Sequence, residues 1–111
     1  IAYREKEIDI AIKNACNPPF DTLRYCCDVV DLTLKIIDNC NENAISDVGV
    51  SAEMAYAGGK GALLNIFINL KEINDLKFCR EMKKKSNLLI NKIENNVKII
   101  RKKMNFTIDN E

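Results

Sequence analysis

The sequence predicts an all-α fold, a bundle of long packed helices, and three observations carry that reading. Prolines and glycines are scarce, two and four in 111 residues, so few points force a break. Apolar residues recur at steps of three and four over long segments, while runs alternating every second residue are absent. The composition, 47% apolar and 30% charged, is that of an ordinary globular protein. A chain of 111 residues makes one domain at most.

About four helices are expected. The first covers residues 1–15 and has no capping residue at its start, so it is expected to continue from upstream. It stops at Asn17-Pro18-Pro19, where the prolines forbid continuation and Asn17 can cap the next helix. The second covers residues 20–40, with Leu23, Cys27, Val30, Leu34 and Ile37 on its buried face. Asp28, Asp31, Lys35 and Asp38 fall on its wetter side, and the polar run 39–43 reads as a turn.

The third helix, residues 46–71, has apolar or small residues on nearly every face, the pattern of a helix surrounded by others. Gly58, Gly59 and Gly61 in its interior should each cost about 1 kcal/mol relative to alanine. Close approach of a neighbouring helix or a ligand is the usual reason for such a cost. The fourth helix covers residues 75–104, with Asn74 as its cap and a stripe of Cys79, Met82, Leu89, Ile93, Val97, Ile100 and Met104. Residues 1–104 thus form one helical unit, and 105–111 a polar tail.

Several function classes are excluded or disfavoured. The chain has no histidine, so a Ser-His-Asp or Cys-His relay cannot be built from it alone. Five cysteines without paired spacing argue against a disulfide framework and against zinc, and read best as reduced, buried thiols. No apolar stretch approaches the roughly 20 residues of a membrane span. No signal peptide is recognisable, the first residue is not methionine, and a cytoplasmic protein that begins inside a longer chain is expected. Residues 75–104 carry ten lysines and arginines against three acids, net +7, while the remainder is net −6. A solvated basic face explains this; nucleic-acid binding is disfavoured because aromatic residues do not interleave with the basic ones.

Two lengths point outside the chain. Thirty helical residues span about 45 Å and twenty-six about 39 Å, whereas a compact chain of this size has a radius of gyration near 13 Å. Apolar surface is therefore left over, to be covered by a missing N-terminal segment, a second copy, or both.

A second stripe on the third helix joins Asp47, Ser51, Met54, Gly58, Gly61, Asn65 and Asn69. Small residues in its middle would leave a bed for a flat ligand carrying amide and amine groups. Equally, the stripe could be a tight helix crossing with its asparagines bonded to nearby backbone.

Three segments carry a family resemblance. The string Asn41-Glu42-Asn43-Ala44-Ile45-Ser46-Asp47, followed by Val50 and Ala52, resembles an "N-x-N-A-x-S-D-x-x-V-x-A" signature. Residues 61–70, extended by Ile73-Asn74-Asp75, resemble "G-A-x-x-N-V-x-I-N-L", and residues 15–19 are similar to an alanine-then-proline break. All three belong to the formiminotetrahydrofolate cyclodeaminase and methenyltetrahydrofolate cyclohydrolase family, and the likeness covers residues 2–104. Family members are longer. Their glycine-rich "P-G-G-G-S" turn, and the aspartate assigned as proton donor, lie upstream of Ile1 and have no match here. The catalytic donor of this chain is therefore unknown, and the chain alone is expected to be inactive.

The resemblance implies one-carbon chemistry on a tetrahydrofolate derivative, with no metal or redox cofactor, in a symmetric homodimer. Either water opens a methenyl bridge to give 10-formyltetrahydrofolate, or N10 displaces ammonia from a formimino group to close that bridge. Cyclohydrolase is preferred, since nothing hints at a fused formiminotransferase module; a non-enzymatic helical scaffold is the alternative. Asp47, Asn65 and Asn69 are the expected substrate-binding residues. Asp47 would stabilise the cationic methenyl form, or simply favour the helix dipole. The two amides would read the pterin's donor and acceptor edges. Lys60 could meet a carboxylate or snorkel to solvent, and Lys83, Lys84 and Lys85 could attract a glutamate tail.

Overall fold

A computed structural model describes residues 2–109, with side chains described for 2–105. Four α-helices occur in order: α1 (Ala2–Asn14), α2 (Asn17–Ile36), α3 (Ile45–Leu70) and α4 (Leu76–Asp109), with a 3-10 turn at Glu42–Ala44 before α3. No strand occurs among the described residues. The bundle itself has three helices rather than about four. α2, α3 and α4 share one core, whereas α1 buries none of its residues. Its side chains alternate charge and isoleucine without a consistent apolar face, so no stripe anchors it.

The core matches the expected stripes. Leu23, Cys27 and Val30 from α2, with Ile37 just past its end, meet Ala52, Ala62, Ile66 and Leu70 from α3 and Ile93, Val97 and Ile100 from α4. Gly59 permits the close crossing of α3 on its neighbours, since a Cβ there would lie 3.2 Å from Ile93 Cδ1 and 3.5 Å from Leu23 Cδ1.

Boundaries differ from the sequence reading where caps decide them. α2 starts at Asn17, with Pro18 and Pro19 inside its first turn, where a missing N–H costs nothing. Cys16, not Asn17, occupies the cap position, and it makes no side-chain cap bond. α4 is capped by Asp75 instead of Asn74: Asp75 Oδ1 accepts the Phe78 N–H at 3.1 Å. Lys13 donates to the same carboxylate at 2.9 Å, and this bond, then the Phe78 N–H, holds the Asp75 carboxyl below its usual range. The stretch 105–109, read as part of a polar tail, continues α4 as helix; residues 110–111 lie outside the described residues.

The molecule measures 67 × 19 × 17 Å, with a radius of gyration of 18.0 Å. A compact chain of this length would have about 13 Å, so the expected excess of surface is present. Ion pairs hold α4 on both flanks of its buried face: Asp31 with Lys92 at 3.0 Å and Asp38 with Lys103 at 2.7 Å on one, and Glu53 of α3 with Arg101 at 2.6 Å on the other. No helix among the described residues is long and apolar enough to cross a membrane.

Candidate functional site

α3 is apolar on two sides, and only one is covered. Its inner face, Gly49, Ala52, Ala55, Gly59, Ala62, Ile66 and Leu70, is buried against α2 and α4. Its outer face is open. Met54 is 70% exposed and Leu64 63%, and Val50, Ala57, Gly58, Gly61 and Ile68 are exposed with them. A Cβ on Gly61 would meet nothing within 4 Å. Beside this face α2 exposes a line of its own, Tyr25, Val29, Leu32 and Ile36. The sequence reading missed that second line, although its four-three-four spacing was visible.

The candidate residues on α3 have separate fates. Asp47 is exposed in the first turn, where its charge favours the positive end of the helix dipole. One turn on, the Ser51 hydroxyl donates to the Asp47 carbonyl at 3.0 Å, and the Asp47 carboxylate has no partner among the described residues. Asn65 is exposed and makes no hydrogen bond among the described residues, so its whole amide edge is available. Asn69 is half-buried, and its Nδ2 donates to the Ala15 carbonyl at 3.1 Å, tying α3 to the turn between α1 and α2. Its oxygen and the second amide N–H remain for another partner.

Helix geometry adds a constraint. Asp47, Gly58 and Asn65 fall within about 40° of one another around α3, on the side where Gly58 faces the Cys26 sulfur of α2. Asp47 and Asn65 are nevertheless about 27 Å apart along the axis. A single pterin cannot touch both on one chain.

The basic candidates lie elsewhere. Lys60 is turned away from the stripe, with its ammonium 4.2 Å from the centre of the Tyr56 ring. The Tyr56 hydroxyl in turn donates to Glu94 at 2.9 Å. Lys83 lines a hollow of about 480 Å³ between α3 and α4, with Phe67, Leu70, Lys71, Cys79 and Asn87. Lys84 and Lys85 are exposed and do not line it. A second hollow of about 420 Å³ is lined by Ser46, Gly49, Val50, Glu53, Met54, Ala57 and Met104, and Asp47 does not line it.

All five cysteines are free thiols. Burial pushes Cys16, Cys26 and Cys27 above the ordinary thiol range, which keeps them protonated and poorly nucleophilic. Cys79 donates to the Leu70 and Ile73 carbonyls at 3.6 Å, in the turn between α3 and α4. Among the described residues no group of three potential ligands could hold a metal ion.

Fold and site together define a helical-bundle protein with an open face of small and apolar residues on its central helix, flanked by free carboxylate and amide groups. Residues 1–88 match the family profile described as formiminotransferase-cyclodeaminase. A methenyltetrahydrofolate cyclohydrolase from Methylorubrum extorquens is 39% identical over 80 residues, 72% of this chain and 38% of that protein. The chain belongs to the formiminotransferase-cyclodeaminase family, and the matched segment spans about two fifths of that relative's length.

Proposed function

We propose that this chain supplies part of a folate active site that hydrolyses 5,10-methenyltetrahydrofolate to 10-formyltetrahydrofolate. The observation that carries the reading is the uncovered outer side of α3, where Asn65 offers an unoccupied amide inside a sequence motif of the family. The name of the Methylorubrum relative favours hydrolysis over the cyclodeaminase reaction.

In that reaction water adds to the cationic methenyl carbon and gives up one proton to solvent, leaving a neutral tetrahedral centre between two nitrogens. The bond to N5 then breaks, the hydroxyl proton passes to N5, and the formyl group stays on N10. The chain's own residues bind and orient. The Asn65 amide matches an aminopyrimidinone edge, since it both donates and accepts. The free oxygen of Asn69 accepts from the same edge, one turn away. A carboxylate such as Asp47 stabilises positive charge at the methenyl carbon. The exposed lines of α2 and α3 form one wall of the cleft, and a second copy of the chain closes it.

The test is methenyltetrahydrofolate hydrolysis measured by absorbance, with folate binding measured alongside in the full-length protein. Asn65→Ala should weaken binding about tenfold, the loss of one or two hydrogen bonds, with helicity and melting unchanged. Unchanged binding with a lowered melting temperature would assign Asn65 a structural role and remove the reading.

A further inference from the structure

Four cations reach across the fold to a carboxylate: Lys13 to Asp75, Lys92 to Asp31, Arg101 to Glu53 and Lys103 to Asp38. The hollow of about 480 Å³ between α3 and α4 breaks that pattern. Lys71 and Lys83 line it from the two sides, and no carboxylate lines it. Neither ammonium has a partner among the described residues. The floor is apolar, made by half-buried Phe67, buried Leu70 and buried Cys79, whose thiol donates to the Leu70 and Ile73 carbonyls. The exposed Asn87 amide completes the rim.

We propose that this hollow binds a small amphipathic anion, an oxyanion head on an aromatic or short acyl body. Lys71 and Lys83 hold the head, and Phe67 and Leu70 carry the body. The inference does not depend on the folate reading, and the site is a separate one. Phe67 projects about 160° away from Asn65 around α3, so the hollow opens on the other flank of that helix.

Helix geometry places the groups. Cys79, Lys83 and Asn87 follow at steps of four, so they stand one above another along one side of α4, over about 12 Å. Phe67, Leu70 and Lys71 face them from α3 at steps of three and four. The bond from Cys79 to the Leu70 carbonyl fixes the level of the two helices. Phe67, about 4.5 Å back along α3, then stands about one turn along α4 from Cys79, beside Lys83. The two ammoniums therefore stand at opposite ends of the apolar floor.

Two like charges at one hollow with no counter-charge favour an anion that both can reach. A lysine grips an oxyanion as a point charge without a fixed angle, so carboxylate and phosphate heads are both accommodated. The volume is that of an organic ligand rather than a bare ion. A chain of glutamates is a poorer match. It has no apolar body for Phe67 and Leu70, and the further cations it would use, Lys84 and Lys85, do not line the hollow.

Amide NMR of the full chain, titrated with benzoate or with phenyl phosphate, tests the site. Both probes should give saturable shifts in residues 67–71 and 79–87, with those of α2 unmoved. Lys71→Gln and Lys83→Gln should each weaken binding about fivefold, the upper end for one partly exposed ion pair. Both side chains are exposed, so the variants keep the fold. Lys84→Gln, next along the chain but off the hollow, should leave binding unchanged. The tighter of the two probes names the head group, phosphate ester or carboxylate, and either result supports the site. Inorganic phosphate and triglutamate should bind about tenfold more weakly, since neither covers the apolar floor. Equal binding of either one overturns the amphipathic ligand. Equal weakening by Lys84→Gln would reduce the attraction to diffuse charge and overturn the site. So would the absence of any saturable shift up to about 20 mM of both probes.

Discussion

One added methyl group should act oppositely at Gly61 and at Gly59, two residues apart on the same helix. In a helix interior the change from glycine to alanine gains about 1 kcal/mol of backbone entropy and propensity. At Gly61 nothing lies within 4 Å of the new Cβ, so the whole gain should appear and raise the urea midpoint by about half a molar. At Gly59 the Cβ would sit 3.2 Å from Ile93 Cδ1. Ile93 is fully buried, with Leu23 and Cys26 also at hand, so it has little room to retreat. Overpacking of this kind costs about 1–3 kcal/mol, which cancels or exceeds the gain. Urea unfolding monitored by far-ultraviolet circular dichroism, at protein concentrations low enough to keep the chain monomeric, measures both variants. Equal stabilisation at the two positions would refute the close crossing at Gly59. A destabilising Gly61→Ala in the dilute chain would refute an open outer face.

Buried groups give two further outcomes. Ser86 is 0% exposed and its hydroxyl has no partner among the described residues, so Ser86→Ala should stabilise by about 1 kcal/mol in the same urea assay; a loss of that size would mean the hydroxyl is satisfied. Burial raises the thiols of Cys16, Cys26 and Cys27 in the folded chain, so their contribution is complete below the unfolded thiol value and is lost as pH rises from it toward the folded values. Melting temperature should therefore fall above about pH 8.5, and Cys27→Ala should lessen the fall even if it lowers the plateau; an identical slope would show that these thiols do not drive it.

Much of the fold was legible because it rests on local periodicity. The stripes through Leu23, Val30 and Ile37 and through Ile93, Val97 and Ile100 were read from spacing alone, and they became the core. The ends were less legible, because caps depend on geometry that composition does not specify. Asn74 and Asp75 are both good capping residues, and the choice fell to Asp75, where the Lys13 ammonium from α1 reinforces the carboxylate. Asn17 lost its cap role because two prolines fit more readily inside the first turn than before it. At the site, Asn65 and Asn69 look equivalent in sequence. Their difference, one open and one bonded to Ala15, depends on a turn more than fifty residues upstream.

The same limit explains why α3 could be read as surrounded and yet stands half uncovered. A helix apolar on every face reports how much contact it needs, not which chain supplies it. Within this chain α2 and α4 cover only the inner side, and α1 contributes no buried residue to help. Leaving Met54, Leu64 and Ile68 in water forgoes about 1–2 kcal/mol for each, comparable in sum to much of the stability of a small domain. Such a sequence is better matched to an assembled state than to an isolated one. A cleft formed at that assembly surface would also make folding, association and substrate binding depend on the same side of one helix, so substitutions along Val50, Ala57 and Gly61 should perturb all three together.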